Sequence, residues 1–203
     1  MIPVQPQPEP TNFDKKVRQP GQEWLRKKGF SSDQPLPVKT KPKAFLRECL
    51  DELHQEYGGV CAYLAIYIER ATGSASADHF VAKSTSEAYL VYEWSNYRLA
   101  CLAMNARKRA FDEVLDPFDL PENVFQLNLT TGRIYVNPVL EMKDRKLFDD
   151  ANVTIYRLKL DDGINRGKRT KHFGDYVQKS ISESHLRENS PFVWHEAQRQ
   201  GLL

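Results

Sequence analysis

Apolar residues recur at helical spacing in Phe45, Leu46, Leu50 and Leu53, with glutamate and arginine on the other face. Lys43 to Tyr57 therefore reads as a helix, stopped by Gly58-Gly59. The run from Val124 to Asn137 alternates apolar and polar on both sides of Thr131-Gly132 and is the clearest β-hairpin signal in the chain. Val60 to Ile68 is apolar and aromatic, and periodicity alone does not separate a buried strand or hairpin from a buried helix there. Ala77 to Ala82 reads as a short strand, Lys83 to Ala88 as a loop, and Tyr89 to Trp94 as a packed aromatic segment. Asn96 to Cys101 reads as a strand or the start of a helix, and Leu102 to Phe111 as a helix. Beyond the hairpin, Glu141 to Leu160 and Arg169 to Leu186 are expected to be helical. Gly163 and Gly167 punctuate a basic turn between them, and the terminal stretch with Trp194 is expected to dock as a tail.

The first twenty residues carry Pro3, Pro6, Pro8, Pro10 and Pro20, which argues against a helix because proline lacks the amide donor. An extended arm held by Ile2, Val4 and Phe13, or a loose tail, is expected there. A short helix from Gln22 to Lys28 follows, anchored by Trp24 and Leu25. The Pro- and Lys-rich stretch from Ser31 to Lys43 reads as a linker. The expected organisation is an arm and linker over 1–42, a core with its preceding helix over 43–118, and a hairpin and helical extension over 119–203. The fold class is α+β.

Composition narrows the function classes only a little. The chain of 203 residues is 40% hydrophobic, enough for a packed core, and no apolar run approaches the roughly 20 residues of a membrane helix. The first residues have neither a basic nor an apolar leader segment, so no secretory signal is expected. Three cysteines, Cys49, Cys61 and Cys101, make a disulfide framework an unlikely design and fit a reducing cytoplasm. The net charge is only +2, but basic clusters at VRQPGQEWLRKKGF, VKTKPKAFLR and NRGKRTKHF can follow phosphates. Each such cluster taken alone is equally compatible with a solvated face.

The chemistry-bearing residues fall in one order: Asp78-His79, then Asn96, then Asn105 and Lys108. An isolated Asp-His pair is more often a surface or capping pair, and its company sets this one apart. His79 is a natural general base because imidazole titrates near neutrality. Asp78 is a hard oxygen ligand for Mg²⁺ or Mn²⁺, and Asn105 can add a second oxygen from the start of a helix. Asn96 can orient the imidazole, directly or through its backbone. Arg107, Lys108 and Arg109 can meet phosphate, although consecutive helical residues point in different directions. His54, His172, His185 and His195 lack such company and read as structural or surface residues, and Glu93 and Asp116 as solvated or capping groups.

The run from Cys61 to Lys108 resembles an HNH endonuclease, a ββα-metal nuclease. It carries Cys61-Ala-Tyr-Leu64, Asp78-His79-Phe80, Asn96 ahead of Cys101, and Cys101-Leu-Ala-Met104-Asn105-Ala-Arg-Lys108. Leu115 to Phe118 and Val153 to Asp162 are similar to segments of HNH proteins in bacterial phage-defence systems, such as the Septu nuclease subunit and proteins linked to retrons. The resemblance implies a ββα-metal core embedded in a mainly helical shell with an additional hairpin. It implies His79 as base with Asn96 as its support, and Asp78 and Asn105 as ligands of Mg²⁺ or Mn²⁺. It also implies DNA bound through the minor groove, with RNA open as a substrate. A separate ATPase subunit is an implied partner, since the chain has no G-x-x-x-x-G-K-[ST] loop of its own.

The sequence departs from the family pattern at its zinc knuckles. Four cysteines commonly hold a structural zinc there, but Leu64 and Met104 replace the second thiol of each pair, leaving only Cys61 and Cys101. An apolar contact in place of structural zinc is the expectation. Zinc completed by a distant His or Asp, and a Cys61–Cys101 disulfide, are the competing readings. The functional expectation is a metal-dependent DNA endonuclease. The alternative is a non-catalytic module that binds nucleic acid or a partner on the same scaffold.

Overall fold

The structure is a computed structural model and describes residues 1–72, 74–82, 87–111 and 113–203. It is mixed helix and sheet, as the α+β expectation has it. The chain divides into two compact units that interleave along the sequence. One comprises 6–59 and 69–112, and the other 1–5, 60–68 and 113–203. The apolar stretch 60–68 groups with the C-terminal half. No described helix is long and apolar enough to cross a membrane.

In the unit of 6–59 and 69–112, helix α1, Gln19–Lys28, follows directly on a π-helical turn, Asp14–Arg18. Helix therefore begins six residues ahead of Pro20, against the expectation of an extended arm. Pro20 sits where α1 takes over from the π turn, and that wider turn accommodates the amide it lacks. Phe13 and Val17 are fully buried, and Leu25 fixes the far end of the helix. Gly21 packs so closely on the Tyr92 ring that an added Cβ would lie 2.2 Å from Cγ. The expected helix over 43–57 is present, but its first half is 3₁₀, Phe45–Cys49, before α2, Leu50–Glu56. Gly58 and Gly59 end it, at φ of 57° and 69°.

Strand β1, Ala75–His79, pairs antiparallel with β2, Tyr97–Cys101, so that Asp78 faces Arg98 and His79 faces Tyr97. Helix α3, Leu102–Lys108, leaves β2 directly and packs on both strands. Between the strands lie two 3₁₀ turns, Ala88–Tyr92 and Trp94–Asn96. Most of the loop expected at Lys83 to Ala88 lies outside the described residues. Trp94 is buried against Phe13, ring centroids 5.5 Å apart, and its Nε1 donates to the Gln7 carbonyl at 2.8 Å.

The other unit holds the predicted hairpin, β3, Phe125–Asn128, and β4, Arg133–Val136, turning at Gly132 with φ of 67°. The expected helix over 141–160 is split by Asp144 into α4, Leu140–Lys143, and α5, Arg145–Leu158. Asp144 breaks the run because its carboxylate caps α5, accepting from Leu147 N at 3.0 Å. Gly163 and Gly167 lie inside helix α6, Gly163–Val177, and not in a turn. Asp162 caps that helix by accepting from Asn165 N at 2.8 Å, and this start signal outweighs the weak helical preference of glycine. The expected helix over 169–186 is accordingly broken between α6 and α7, Glu183–Asn189. The Trp194 stretch is itself a helix, α8, Pro191–Arg199, with Phe192, Val193 and Ala197 buried.

Arg169 is the largest fully buried side chain of this unit and ties it together. It donates to the Gly132 carbonyl at 3.1 Å and the Leu160 carbonyl at 2.8 Å, while its Nε has no partner among the described residues. Residues 60–68 form no helix but a tight hairpin-like turn, its ends joined by an isolated antiparallel bridge between Val60 and Tyr67. Cys61 N donates to Ile66 O at 2.9 Å, Ala65 N donates back to Cys61 O at 2.8 Å, and Tyr67 N donates to Asn189 O at 3.0 Å. Ala65 adopts a φ of 49° to close it.

Candidate active site

Four of the sequence-predicted residues come together in the unit of 6–59 and 69–112. Asp78 and His79 end β1, Asn96 precedes β2, and Asn105 lies in α3. The antiparallel register and the immediate turn from β2 into α3 bring the two amides to the strand that bears the acid and the imidazole. Asp78, His79 and Asn105 all line one cavity of about 540 Å³.

The imidazole is held on two sides. Its Nε2 lies 2.9 Å from the Val91 carbonyl, and its ring meets the Tyr97 ring edge-on at 5.1 Å. A carbonyl only accepts, so Nε2 carries the proton and Nδ1 is the basic nitrogen. The Tyr97 hydroxyl donates to the same carbonyl at 2.7 Å, and burial raises its pKa, so that it stays a phenol. Tyr97 and Val91 were not among the sequence candidates. Correct alignment of the two strands, with Tyr97 opposite His79, is the signal that would have found the tyrosine.

Asn96 acts on the backbone around the imidazole and not on the ring. Its Oδ1 accepts from Val81 N at 2.8 Å, and its Nδ2 donates to the Val81 and Leu90 carbonyls at 3.3 and 3.0 Å. Its own carbonyl accepts from Phe80 N at 2.9 Å. These bonds join the segment after His79 to the 3₁₀ turn that presents Val91. Asn105 donates through Nδ2 to Ser76 Oγ and to the Ala77 carbonyl, both at 3.2 Å.

The three expected phosphate-contacting cations have different fates. Arg109 is exposed at the cavity, on a backbone of φ 51° and ψ −125° that non-glycine residues rarely adopt. Arg107 is half-buried on α3. Lys108 is fully buried and is not placed to meet a phosphate from solvent. Its ammonium donates to the His79 and Phe80 carbonyls at 3.2 and 2.7 Å and lies 3.5 Å from Asp78 Oδ2, beneath the Phe80 ring. One face of a short helix cannot serve solvent and core at once, and the i−3 position, Asn105, already faces β1. Arg98, opposite Asp78 in register, is also buried and sits over the Phe80 ring at 5.1 Å. Two cations thus flank the Asp78 strand end.

Asp78 and Asn105 offer hard oxygens of the kind Mg²⁺ or Mn²⁺ accepts with most of its own waters retained, so the donor chemistry fits such an ion. Among the described residues no group of three or more His, Cys, Asp or Glu side chains is gathered as a metal cluster. The knuckle residues are divided between the units: Cys61 and Leu64 lie in the turn of one, and Cys101 and Met104 at the β2–α3 junction of the other. Cys61, Leu64 and Met104 are buried, and none of the cysteines is in a disulfide. Glu93 is drawn to Arg18 at 2.9 Å, and Asp116 accepts from Phe118 N at 3.0 Å, so each has a structural role. No protein-family model matches the chain, and neither does any curated protein.

Proposed function

We propose that the chain is a metal-dependent endonuclease of HNH type that hydrolyses phosphodiester bonds of DNA. The observation that carries this reading is the convergence of Asp78, His79 and Asn105 on one cavity, on a strand–strand–helix unit in the expected order. His79, held through Nε2 on Val91, would take the proton of the attacking water at Nδ1. Tyr97 keeps the imidazole in that tautomer and direction by fixing the carbonyl it donates to, and Asn96 holds the adjacent Leu90 carbonyl of the same turn. Asp78 and Asn105 would hold a Mg²⁺ or Mn²⁺ ion, which supplies charge neutralisation at the scissile phosphate. Arg109, exposed at the same cavity, adds positive charge beside it.

A second reading is favoured by a different observation. The Asp78 carboxylate is already opposed by the buried Lys108 ammonium at 3.5 Å, a cation that competes with any metal. A scaffold of this kind would bind nucleic acid or a protein partner without cutting. Nicking of supercoiled plasmid in Mg²⁺ or Mn²⁺, against the same reaction in EDTA, separates the two. Metal-dependent conversion to open circles, or metal-dependent cleavage of single-stranded DNA run beside it, supports the nuclease, and both substrates intact under every metal condition sink it. A role beside a separate ATPase subunit in phage defence, in the cytoplasm, is part of the same proposal and rests on the sequence resemblance.

A further inference from the structure

The cavity beside Asp78 and His79 has two chemically different linings. One is polar: β1 contributes Ser76, Asp78 and His79, and α3 contributes Asn105. The same cavity also has an apolar lining, from Leu36, Leu46 and Leu50 together with the buried Tyr92 and Tyr97 rings. At the same cavity stand three cations, Lys43, Arg47 and Arg109, all exposed. Every one of these residues belongs to a single compact unit.

From this arrangement we infer that the cavity receives one unpaired nucleotide of a single strand, its base on the leucine wall and its phosphates among the three cations. This rests on the nuclease reading and names its substrate class. A space of about 540 Å³ suits a ligand of nucleotide size. It is far too small for a duplex, whose major groove alone is about 12 Å wide. A paired base would present only its edge, leaving the apolar wall wet. An unpaired base presents a flat apolar face that the leucines can cover, while its backbone charge meets the lysine and arginines. Unstacking is least costly in a strand that is already single, so single-stranded DNA is the preferred occupant over a base flipped from a duplex.

Binding can be read without catalysis. Fluorescence anisotropy of a labelled oligothymidine and of a labelled hairpin duplex of equal charge is measured on the full chain in EDTA. The single strand is expected to bind at least about ten-fold more tightly. Leu46→Trp, which fills the cavity, and Arg47→Glu, which reverses an exposed charge at it, are each expected to weaken single-strand binding by about ten-fold with an unchanged circular dichroism spectrum. Arg47→Glu, on an exposed side chain, keeps the test valid where the tryptophan perturbs folding. Equal or tighter binding of the duplex overturns the inference, as does unchanged single-strand affinity in Arg47→Glu. Plasmid nicking with duplex-preferring binding leaves the nuclease reading intact and removes this one. A single-strand preference that both variants abolish, without metal-dependent cleavage, does the reverse.

Discussion

Lys108 Nζ lies 3.5 Å from Asp78 Oδ2, and both side chains are almost entirely withdrawn from solvent, at 0% and 3% exposure. The pair joins the last turn of α3 to the end of β1. The ammonium also reaches the carbonyls of His79 and Phe80, so one buried cation fixes the backbone at which the acid and the imidazole are carried.

Removing one partner of such a pair strands the other in a low-dielectric site. Lys108→Met is expected to destabilise the protein by about 3 kcal/mol, read from urea denaturation. The double variant Asp78→Asn/Lys108→Met should be more stable than the sum of the single changes predicts, because it leaves no unpaired charge. Additive losses would show that the pair is not coupled.

His79→Ala is expected to lower plasmid nicking by at least about 100-fold, with thermal unfolding nearly unchanged since the ring is only partly buried. Tyr97→Phe removes the second donor to the Val91 carbonyl while keeping the ring, and a milder loss with an altered pH profile is expected. Undiminished nicking by His79→Ala would remove the imidazole from the base role.

Two glycines should respond oppositely to alanine. At Gly21 a methyl group would sit within 2.6 Å of three Tyr92 ring atoms, and Tyr92 is pinned by its hydroxyl to the Lys43 carbonyl. Gly21→Ala is expected to cost about 1–3 kcal/mol. Gly167 is exposed within α6 with open space around it, and Gly167→Ala is expected to stabilise by about 0.5–1 kcal/mol. Chemical denaturation of both variants measures the contrast.

Burial, and then the nearby Lys168 charge, lowers the His172 pKa from 6.5 to about 4, and its Nδ1 is hydrogen-bonded to the buried Ser190 hydroxyl. The folded protein therefore keeps this ring neutral at pH values where the unfolded chain has protonated it. Stability is constant on this account above pH 6.5 and falls as pH drops from there toward 4. His172→Gln, which keeps a hydrogen-bonding group toward Ser190, should flatten that part of the pH dependence relative to the parent protein. Parallel curves for the two would exclude His172 as its source.

Much of the local structure was legible in the residues. The hairpin at Thr131-Gly132 and the helical turns from Phe45 to Glu56 follow from periodicities of two and near four, which need only neighbouring residues. Pro20 misled, because a π turn directly ahead of it lets the helical stretch run through the proline. Gly163 and Gly167 misled because a capping aspartate just before them starts a helix that two glycines cannot stop. Asn96 was singled out as support for the imidazole, but its target is the surrounding backbone, since side-chain amides satisfy whichever buried donors and acceptors lie nearest.

The sequence by itself determined the α+β class, the hairpin, most helices and the order of Asp78, His79, Asn96 and Asn105 along the chain. Those features depend on local spacing and residue chemistry. Only the tertiary structure decided that Lys108 is an internal clamp while Arg109 faces the cavity, and that residues 60–68 join the C-terminal half. It also decided that leucines from residues 36–50 line the same cavity as the acid and the imidazole. The physical reason is the same in each case. Whether a charge is buried or a cavity left open depends on which distant segments pack against it, and adjacent positions in a basic run carry no record of that.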